Sequence, residues 1–132
     1  MSDKLKILVV EDNDFVRMQI VRYLQDIGAE IIESSEGEHA LAVIKDAHIK
    51  RDPISLAIVD VRMEPVDGFD FIKSIRGLDM DTPVILVTGD SNPDLLEQAG
   101  TWGVNAVMIK PVQKDRLVKT VTRTIEAYKR RG

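Results

Sequence analysis

The sequence predicts an α/β fold in which a five-stranded parallel sheet has helices on both faces. Five short apolar runs alternate with five segments of helical periodicity. Three of the runs are almost continuously apolar, which is typical of strands buried on both faces of a parallel sheet. Because parallel strands need right-handed crossover helices, few arrangements remain, and we expect the doubly wound strand order 2-1-3-4-5.

The apolar runs place the predicted strands at residues 5–10, 29–32, 56–59, 84–87 and 104–109. The second run is interrupted by Glu30 and followed by Glu33, which suits a strand at the edge of the sheet. The fifth run is broken only by Asn105. A sheet of this size with its helices fills the chain, so we expect one domain over residues 1–132 with a core at about 5–128.

Each segment that follows a strand carries one apolar stripe at helical spacing. We expect Gly28 to cap the end of the first helix. Ser35 and Glu38 have the spacing of a capping box for the second helix, and Asn92 with Pro93 is typical of a helix start for the fourth. The five stripes are Val16, Ile20, Leu24 and Ile27; Ala40, Leu41, Ile44 and Ala47; Phe71, Ile72 and Ile75; Leu95, Leu96 and Ala99; and Leu117, Val121, Ile125 and Tyr128.

The composition excludes several classes of protein. The chain has no cysteine, which excludes disulfides, thiol catalysis and thiolate metal sites. Its net charge of −4 argues against nucleic acid as a direct ligand, and no apolar run is long enough for membrane insertion. We expect a cytoplasmic protein whose start at Met1 is natural. No output domain fits after Tyr128, so the chain is expected to act alone or as one domain of a longer protein.

Chemically distinctive residues follow the ends of four predicted strands. Glu11 and Asp12 follow the first strand, Asp60 the third, Thr88 the fourth and Lys110 the fifth. In open α/β sheets, ligands bind beyond the carboxyl ends of the strands, at the point where the strand order reverses. That point lies here between the first and third strands, so we expect these side chains to converge there.

Three carboxylates at one place repel one another unless a cation lies among them. Mg²⁺ suits such oxygen ligands, since it binds through one or two carboxylates and keeps waters and a phosphate oxygen, and Mn²⁺ is a possible substitute. A carboxylate is also a nucleophile toward phosphorus. Phosphoryl transfer mainly needs charge neutralisation, which a metal ion, a lysine and a hydroxyl group supply.

Four short motifs carry a resemblance to a known family. They are Leu-Val-Val-Glu-Asp-Asn at 8–13, Val-Asp-Val-Arg-Met at 59–63 with Asp-Gly at 67–68, Thr-Gly at 88–89 and Lys-Pro at 110–111. Each motif is weak alone, but together and in this order they closely resemble the receiver domain of bacterial response regulators over about residues 5–128. The resemblance implies a flavodoxin-like fold similar to that of chemotaxis regulators.

The resemblance implies that Asp60 is the phosphoacceptor of a signalling switch. Asp12, Asp60 and the backbone carbonyl of Arg62 would bind Mg²⁺ directly, and Glu11 would act through a water. A histidine kinase or a histidine phosphotransfer protein of a two-component or phosphorelay pathway, expected to be bacterial, would donate the phosphoryl group. Such a domain catalyses only its own phosphorylation and dephosphorylation, so it is not a turnover enzyme.

The resemblance also assigns the remaining site residues. Lys110, placed by a cis peptide bond to Pro111, and Thr88 would bind phosphoryl oxygens. The output partner, of unknown identity, would contact the face formed by the fourth helix, the fifth strand and the fifth helix. Val107 stands where the family usually has a tyrosine or phenylalanine, which puts the usual output mechanism in doubt.

The loop after Asp60 also departs from the family pattern. Glu64 stands where the family usually has proline, and Pro65 follows it. Arg62, two residues after the acceptor, is long and cationic, and Asp90 lies two residues after the switch threonine. One interpretation is that Arg62 and Asp90 pair across the mouth of the site and prolong the phosphorylated state. The alternative is that the Arg62 side chain is solvated and makes no such pair.

Two other functions remain open at this stage. The first is a Mg²⁺-dependent phosphatase with an aspartyl nucleophile, because residues 12–14 have the required Asp-x-Asp spacing. That hypothesis leaves Asp60 without a role and lacks room for a cap domain. The second is a binding module, such as a degenerate receiver that works without phosphorylation. A degenerate receiver is expected to have lost an acid or the lysine, and this chain keeps them all.

Overall fold

The chain alternates strand and helix five times, as the apolar runs predict. The computed structural model describes residues 4–90 and 92–130, without the side chain of residue 130. Residues 1–3, 91, 131 and 132, which include the start expected at Met1, lie outside the described residues. The strands are β1 (Lys6–Val10), β2 (Glu30–Ser34), β3 (Leu56–Asp60), β4 (Val84–Thr88) and β5 (Ala106–Ile109). The helices are α1 (Asp14–Tyr23), α2 (Gly37–Ile49), α3 (Gly68–Gly77), α4 (Pro93–Thr101) and α5 (Lys114–Arg130).

All neighbouring strands pair in parallel in the order β2-β1-β3-β4-β5, which confirms the predicted strand order. The second strand lies at an edge, as its interrupted apolar run indicated. The register pairs Val10 with Val59, Asp60 with Val87 and Thr88 with Ile109. The carboxyl ends of β1, β3, β4 and β5 therefore lie at nearly the same level, and the residues that follow them share one edge of the sheet.

Alternate residues of the central strands point to opposite faces, and each face has its own core. In β1, Leu8 and Val10 pack with α2, α3 and α4, while Ile7 and Val9 pack with α1 and α5. Every residue of β3 and β4 is buried, which explains why these runs are continuously apolar. Among the described residues, no helix combines the length and the apolar composition needed to cross a membrane.

The predicted start of α4 is confirmed, but the predicted end of the first helix is wrong, because α1 ends at Tyr23 and its cap residue is Leu24. A short 3-10 turn, Gln25–Ile27, follows α1 and ends at Gly28, which has a left-handed φ of 81°. Asn92 accepts a hydrogen bond from the Asp94 amide at 2.9 Å and caps α4, whose first residue is Pro93. One expectation about α4 is wrong. Leu95 is buried, but Leu96, the next residue around the helix, is 52% exposed and lies outside the buried stripe.

The capping box expected from Ser35 and Glu38 is wrong. The helix α2 begins at Gly37, and its cap residue Glu36 makes no side-chain capping hydrogen bond. The turn before α2 is instead held by the Ser34 hydroxyl, which donates to the Glu36 carbonyl at 2.9 Å. A reciprocal capping box is present at the start of α3, where aspartates at 67 and 70 each accept a hydrogen bond from the backbone amide of the other.

The fifth strand is shorter than its apolar run. The Val104 amide donates to the Ala99 carbonyl at 2.9 Å, so Val104 belongs to the turn that ends α4. Asn105 bonds Val84 twice, through its backbone amide and through its side-chain oxygen. Strand β5 therefore starts at Ala106.

Arg76 joins two loops at the end of the sheet opposite the strand-end acids. Its guanidinium donates to the backbone carbonyls of Met80 at 2.8 Å, Thr82 at 3.0 Å and Trp102 at 3.1 Å. Burial lowers the pKa of Arg76 from its ordinary value, although the group stays charged. Through the bond to Trp102, which follows α4 directly, Arg76 links the end of α4 to the end of α3.

The start of α3 packs directly against the end of β3. The Gly68 amide donates to the Val61 carbonyl at 2.9 Å, and a Cβ atom added at Gly68 would lie 2.5 Å from the Asp60 carbonyl oxygen. A side chain is therefore excluded at this position, because the atom that it would meet belongs to the backbone. This close approach explains why glycine follows Asp67 in the loop after the acceptor strand.

Gly68→Ala is expected to destabilise the protein by about 1 to 3 kcal/mol, because the added methyl group forces α3 away from β3. The free energy of unfolding in urea measures the effect. Gly100→Ala is the matched control, since nothing lies within 4 Å of its added Cβ and the position is inside α4. The control is expected to gain about 0.5 to 1 kcal/mol from higher helix propensity. Equal stability of Gly68→Ala and the unmodified protein would contradict the close approach.

Candidate functional site

The carboxylates predicted to converge do so at the carboxyl edge of the sheet. Glu11 follows β1 directly, and Asp60 is the last residue of β3. Oxygen atoms of Glu11, Asp12 and Asp60 all lie within 4.8 Å of one another. The aligned ends of two neighbouring strands produce this cluster, since β1 and β3 pair in register up to Val10 and Val59.

Lys110 lies among these acids. Its Nζ atom is 2.9 Å from Glu11 Oε1 and 3.3 Å from Asp60 Oδ1. The Lys110 amide donates to the Thr88 carbonyl at 2.8 Å, which continues the pairing of β4 with β5 past the end of the strand. The peptide bond to Pro111 is cis, as the resemblance implied. The bond between Glu64 and Pro65 is also cis, which the sequence analysis did not anticipate.

Glu11 is the most deeply buried of the three acids, with 1% of its surface exposed. Its Oε2 atom accepts a hydrogen bond from the Asn13 amide at 3.2 Å. Within the described part of the chain, the contact with the Lys110 ammonium at 2.9 Å is the one polar interaction of its Oε1 atom. Burial raises the pKa of Glu11, and the hydrogen bond from Lys110 opposes that rise.

The charges of the cluster do not balance. Burial, and then the neighbouring Glu11, raise the pKa of Asp12, whose side chain is exposed at the mouth of the site. Burial lowers the pKa of Lys110, but the hydrogen bond and the charge of Glu11 outweigh burial, so its pKa is raised overall. One ammonium thus faces three carboxylates. The excess negative charge, the oxygen donors and the poorly bonded Glu11 Oε1 fit a small, hard divalent cation such as Mg²⁺.

An open cavity of about 660 Å³ lies in front of the cluster. Asp12, Arg62, Glu64 and Asp67 are among the residues that line it. Apart from Asp12, these lining residues belong to the loop between β3 and α3. The hydrogen bond from the Gly68 amide to the Val61 carbonyl keeps the end of this loop close to β3. The cavity is open to solvent on the side of the cluster where Asp12 lies.

Thr88 ends β4 and is buried, with 1% of its surface exposed. Its Oγ1 atom accepts a hydrogen bond from the Asp90 amide at 3.0 Å. Because the oxygen is the acceptor in that bond, the hydroxyl proton can be donated to another group. The side chain thus connects the end of β4 to the loop that leads to α4.

Arg62 and Asp90 lie on the two loops beside the cavity, and their side chains meet. Arg62 Nη2 is 2.7 Å from Asp90 Oδ2, and the Arg62 side chain is 76% exposed. The other Asp90 oxygen, Oδ1, accepts from the Asn92 amide at 3.1 Å. Val107, the third modulating residue suggested by the sequence, lies in β5, where it is half-buried against the core and pairs with Leu86.

Sequence reasoning missed two residues that support the site. Gly68 was noticed only as part of a motif, and its contact with the Asp60 backbone requires three-dimensional coordinates. Arg17, on α1, donates to the Glu11 carbonyl through Nη1 at 2.7 Å. In the sequence, Arg17 has the position of an ordinary solvated arginine on an amphipathic helix, five residues after Asp12. No sequence pattern therefore identified its contact with the Glu11 carbonyl.

The chain was compared with known proteins. It matches the family model of the response regulator receiver domain over residues 7–122. The CAI-1 autoinducer sensor kinase/phosphatase CqsS of Vibrio cholerae is 30% identical over 119 residues, which are 88% of this chain and 17% of that protein. The osmosensing histidine protein kinase SLN1 of Saccharomyces cerevisiae is 31% identical over 126 residues, which are 94% of this chain and 10% of that protein.

The solved structure of the chemotaxis protein CheY4 of Vibrio cholerae superimposes with a TM-score of 0.82 and 28% identity, covering 92% of this chain and 98% of that chain. The two kinases are much longer than this chain, which spans less than a fifth of either, and they come from a bacterium and a yeast. Since the family match runs from β1 into α5, the chain belongs to the response regulator receiver domain family of two-component signalling.

Proposed function

We propose that the chain is a phosphorylation-dependent switch in which Asp60 accepts a phosphoryl group in the presence of Mg²⁺. The observation that carries this proposal is the position of Lys110 Nζ, 3.3 Å from Asp60 Oδ1, at an edge where three carboxylates converge. A carboxylate beside a fixed cation presents a nucleophilic oxygen next to the charge that a phosphoryl group needs. The comparisons support the family, and the roles of the individual residues are our proposal.

Asp12, Asp60 and the backbone carbonyl of Arg62 are proposed as direct ligands of Mg²⁺ or Mn²⁺, with Glu11 acting through a water. When bound there, the ion would supply positive charge to offset the carboxylates and the phosphoryl oxygens. The support for this assignment is chemical. Hard cations of this size take carboxylate and carbonyl oxygens and retain several waters, and the cavity in front of Asp12 has room for those waters.

In the proposed reaction, an Asp60 oxygen attacks the phosphorus of a phosphohistidine on the donor protein. A phosphorus–oxygen bond forms, the phosphorus–nitrogen bond breaks, and the imidazole leaves with the electron pair. Lys110 and the Thr88 hydroxyl bind the phosphoryl oxygens and stabilise their charge. Attack by water later releases inorganic phosphate and restores the carboxylate. The domain catalyses only these reactions of its own side chain, so it acts as a switch rather than as a turnover enzyme.

The alternative of an aspartyl phosphatase is weakened by the position of Asp14. The Asp14 carboxylate is 81% exposed and pairs with Arg17 at 2.6 Å, and it is not among the acids that cluster with Asp60. The Asp-x-Asp spacing therefore does not bring a second acid to the site. A degenerate binding module is also disfavoured, because the acids, the threonine and the lysine are all present at the strand ends.

The donor is proposed to be a histidine kinase or a histidine phosphotransfer protein, with the reaction in the cytoplasm of a bacterial cell. The output is proposed to start at Thr88. When its hydroxyl turns toward a phosphoryl oxygen, the bond from the Asp90 amide is strained or lost, and the loop at 89–93 shifts. Since Arg76 fastens the residue after α4, the movement is concentrated at the start of that helix. Val107 offers no ring that can rotate with Thr88.

An output partner is proposed to contact the face formed by α4, β5 and α5. This face carries two exposed apolar side chains, Leu96 at 52% and Ile109 at 47%. Arg62 and Asp90 are proposed to control the lifetime of the phosphorylated state. Their ion pair joins the loop after β3 to the loop after β4, and we propose that hydrolytic water approaches between these loops. Arg62 also brings a positive charge toward the phosphoryl group.

Incubation with acetyl phosphate and Mg²⁺ is expected to add one phosphoryl group to the protein, and Asp60→Asn is expected to abolish the adduct because the nucleophile is lost. Intact-protein mass spectrometry measures the adduct. Asp46→Asn, an exposed carboxylate on α2, is the control and is expected to react normally. An undiminished adduct on Asp60→Asn would rule out the proposed acceptor.

Asp12→Asn is expected to stabilise the metal-free protein by about 0.5 to 1 kcal/mol, since it removes one repelling charge from an exposed and therefore screened position. It is also expected to lose most of the stabilisation by Mg²⁺, which for a normal site is about 2.7 kcal/mol at a hundredfold excess over Kd. Urea unfolding with chelator or with MgCl₂ measures both effects. Glu126→Gln, on the exposed side of α5, is the control. Unchanged Mg²⁺ stabilisation in Asp12→Asn would exclude Asp12 as a ligand.

Arg62→Ala is expected to lose its phosphoryl group roughly two- to tenfold faster, a change of about 1 kcal/mol in the barrier, because water gains access to the phosphorus. The ion pair itself is worth only about 0 to 1 kcal/mol of stability, because it is exposed. The decay of the phosphorylated protein after removal of the donor measures the rate. Arg62→Ala and Asp90→Ala combined are expected to be non-additive. Arg116→Ala, exposed on α5, is the control, and an unchanged rate in Arg62→Ala would end the proposal.

A further inference from the structure

The guanidinium of Arg17 is fixed by three different acceptors. Nη1 donates to the Glu11 carbonyl at 2.7 Å, Nη2 to Asp14 Oδ1 at 2.6 Å and Nε to Glu33 Oε1 at 3.2 Å. The Arg17 side chain is only 15% exposed. Because the guanidinium is planar and its donors form a rigid fork, two carboxylates set its orientation and leave Nη1 directed at the backbone.

The backbone acceptor of Arg17 belongs to an acid of the site. Glu11 lies one residue past the end of β1, where the sheet no longer supplies a partner for both of its backbone groups. Its amide donates to the Ser34 carbonyl at 3.0 Å, and its carbonyl accepts from Arg17. The peptide unit between Glu11 and Asp12 is therefore held from α1, and its orientation determines where both carboxylates point.

The charge of Arg17 is already compensated. Asp14 and Glu33 place two negative charges on the guanidinium, so the group of three has a net charge of −1. It therefore adds no net positive charge to the acidic cluster. The contribution of Arg17 to the site consists of the hydrogen bond to the Glu11 carbonyl and the backbone orientation that this bond maintains.

We propose that Arg17 is a positioning residue for the metal site, acting through the Glu11 carbonyl to hold the Glu11 and Asp12 carboxylates in a geometry that binds Mg²⁺. This inference rests on the proposed function. Groups that orient metal ligands commonly change metal affinity by a factor of ten to a hundred. Arg17 acts on the backbone between Asp12, a proposed direct ligand, and Glu11, which is proposed to act through a water, so we expect a loss of affinity of roughly tenfold without it.

Titration of the full chain with MgCl₂ alone, followed by calorimetry and by the amide NMR shift of Asn13, tests the inference. Arg17→Met keeps the aliphatic stem and removes the donors, and it is expected to bind Mg²⁺ roughly tenfold more weakly. Arg17→Lys keeps the positive charge but loses the planar guanidinium with its several donors. The Mg²⁺ affinity of Arg17→Lys is therefore expected to stay close to that of Arg17→Met. Glu33→Gln, which loosens the guanidinium, is expected to give a smaller loss in the same direction. Arg22→Met, an exposed arginine on the same helix, is the control with unchanged affinity.

Phosphorylation by acetyl phosphate gives a second measure. The Mg²⁺ concentration for half-maximal phosphorylation is expected to rise in Arg17→Met, while the rate at saturating Mg²⁺ approaches that of the unmodified protein, because Asp60 and Lys110 are untouched. An arginine that only clamps α1 to β2 would lower stability in urea and leave Mg²⁺ affinity unchanged, and that result would overturn the inference. Full recovery in Arg17→Lys would overturn it as well. Failure of the unmodified protein to bind Mg²⁺ would overturn both the proposed function and this inference.

Discussion

The ion pair that Lys110 forms with Glu11 and Asp60 connects the ends of three strands, and the arrangement of the carboxyl edge depends on it. Glu11 is almost completely buried, so its carboxylate would carry a large desolvation cost without the ammonium beside it. The pair forms because the parallel register brings the ends of β1, β3 and β5 to one level. One ammonium still leaves excess negative charge among three carboxylates, and that excess is the physical basis for the proposed cation site.

Contacts made to the backbone next to the site residues help to position the groups around this ion pair. Gly68 lets the start of α3 approach the Asp60 carbonyl, and the Lys110 amide is bonded to the Thr88 carbonyl. Arg17 holds the Glu11 carbonyl in the same way from α1. Each of these contacts acts on the peptide unit next to a site residue, so each limits the directions that the side chain can take.

The sequence was sufficient to predict the sheet, its strand order and the convergence of the three acids with Lys110. Continuous apolar runs reveal buried strands, and residues that directly follow parallel strands must share an edge, so local patterns carried that information. Predictions that depended on turn geometry were less successful. Ser35 and Glu38 have the spacing of a capping box, but the Ser34 hydroxyl already bonds the turn and α2 begins at Gly37. Arg17 was missed because its partner is a backbone carbonyl, which no residue pattern identifies.

Asp90 links the proposed lifetime control to the proposed output. Its amide bonds the Thr88 hydroxyl, one carboxylate oxygen pairs with Arg62, and the other accepts from the amide of Asn92, which caps α4. A movement of Thr88 toward a phosphoryl group would therefore change the hydrogen bond that positions Asp90. A displaced Asp90 would in turn change its ion pair with Arg62 and its hydrogen bond to the cap residue of α4. Position 107 in β5 is a valine, so this position offers no aromatic ring to carry the signal. The hydrogen bonds of Asp90 provide a direct connection from the proposed phosphorylation site to α4, which belongs to the proposed output surface.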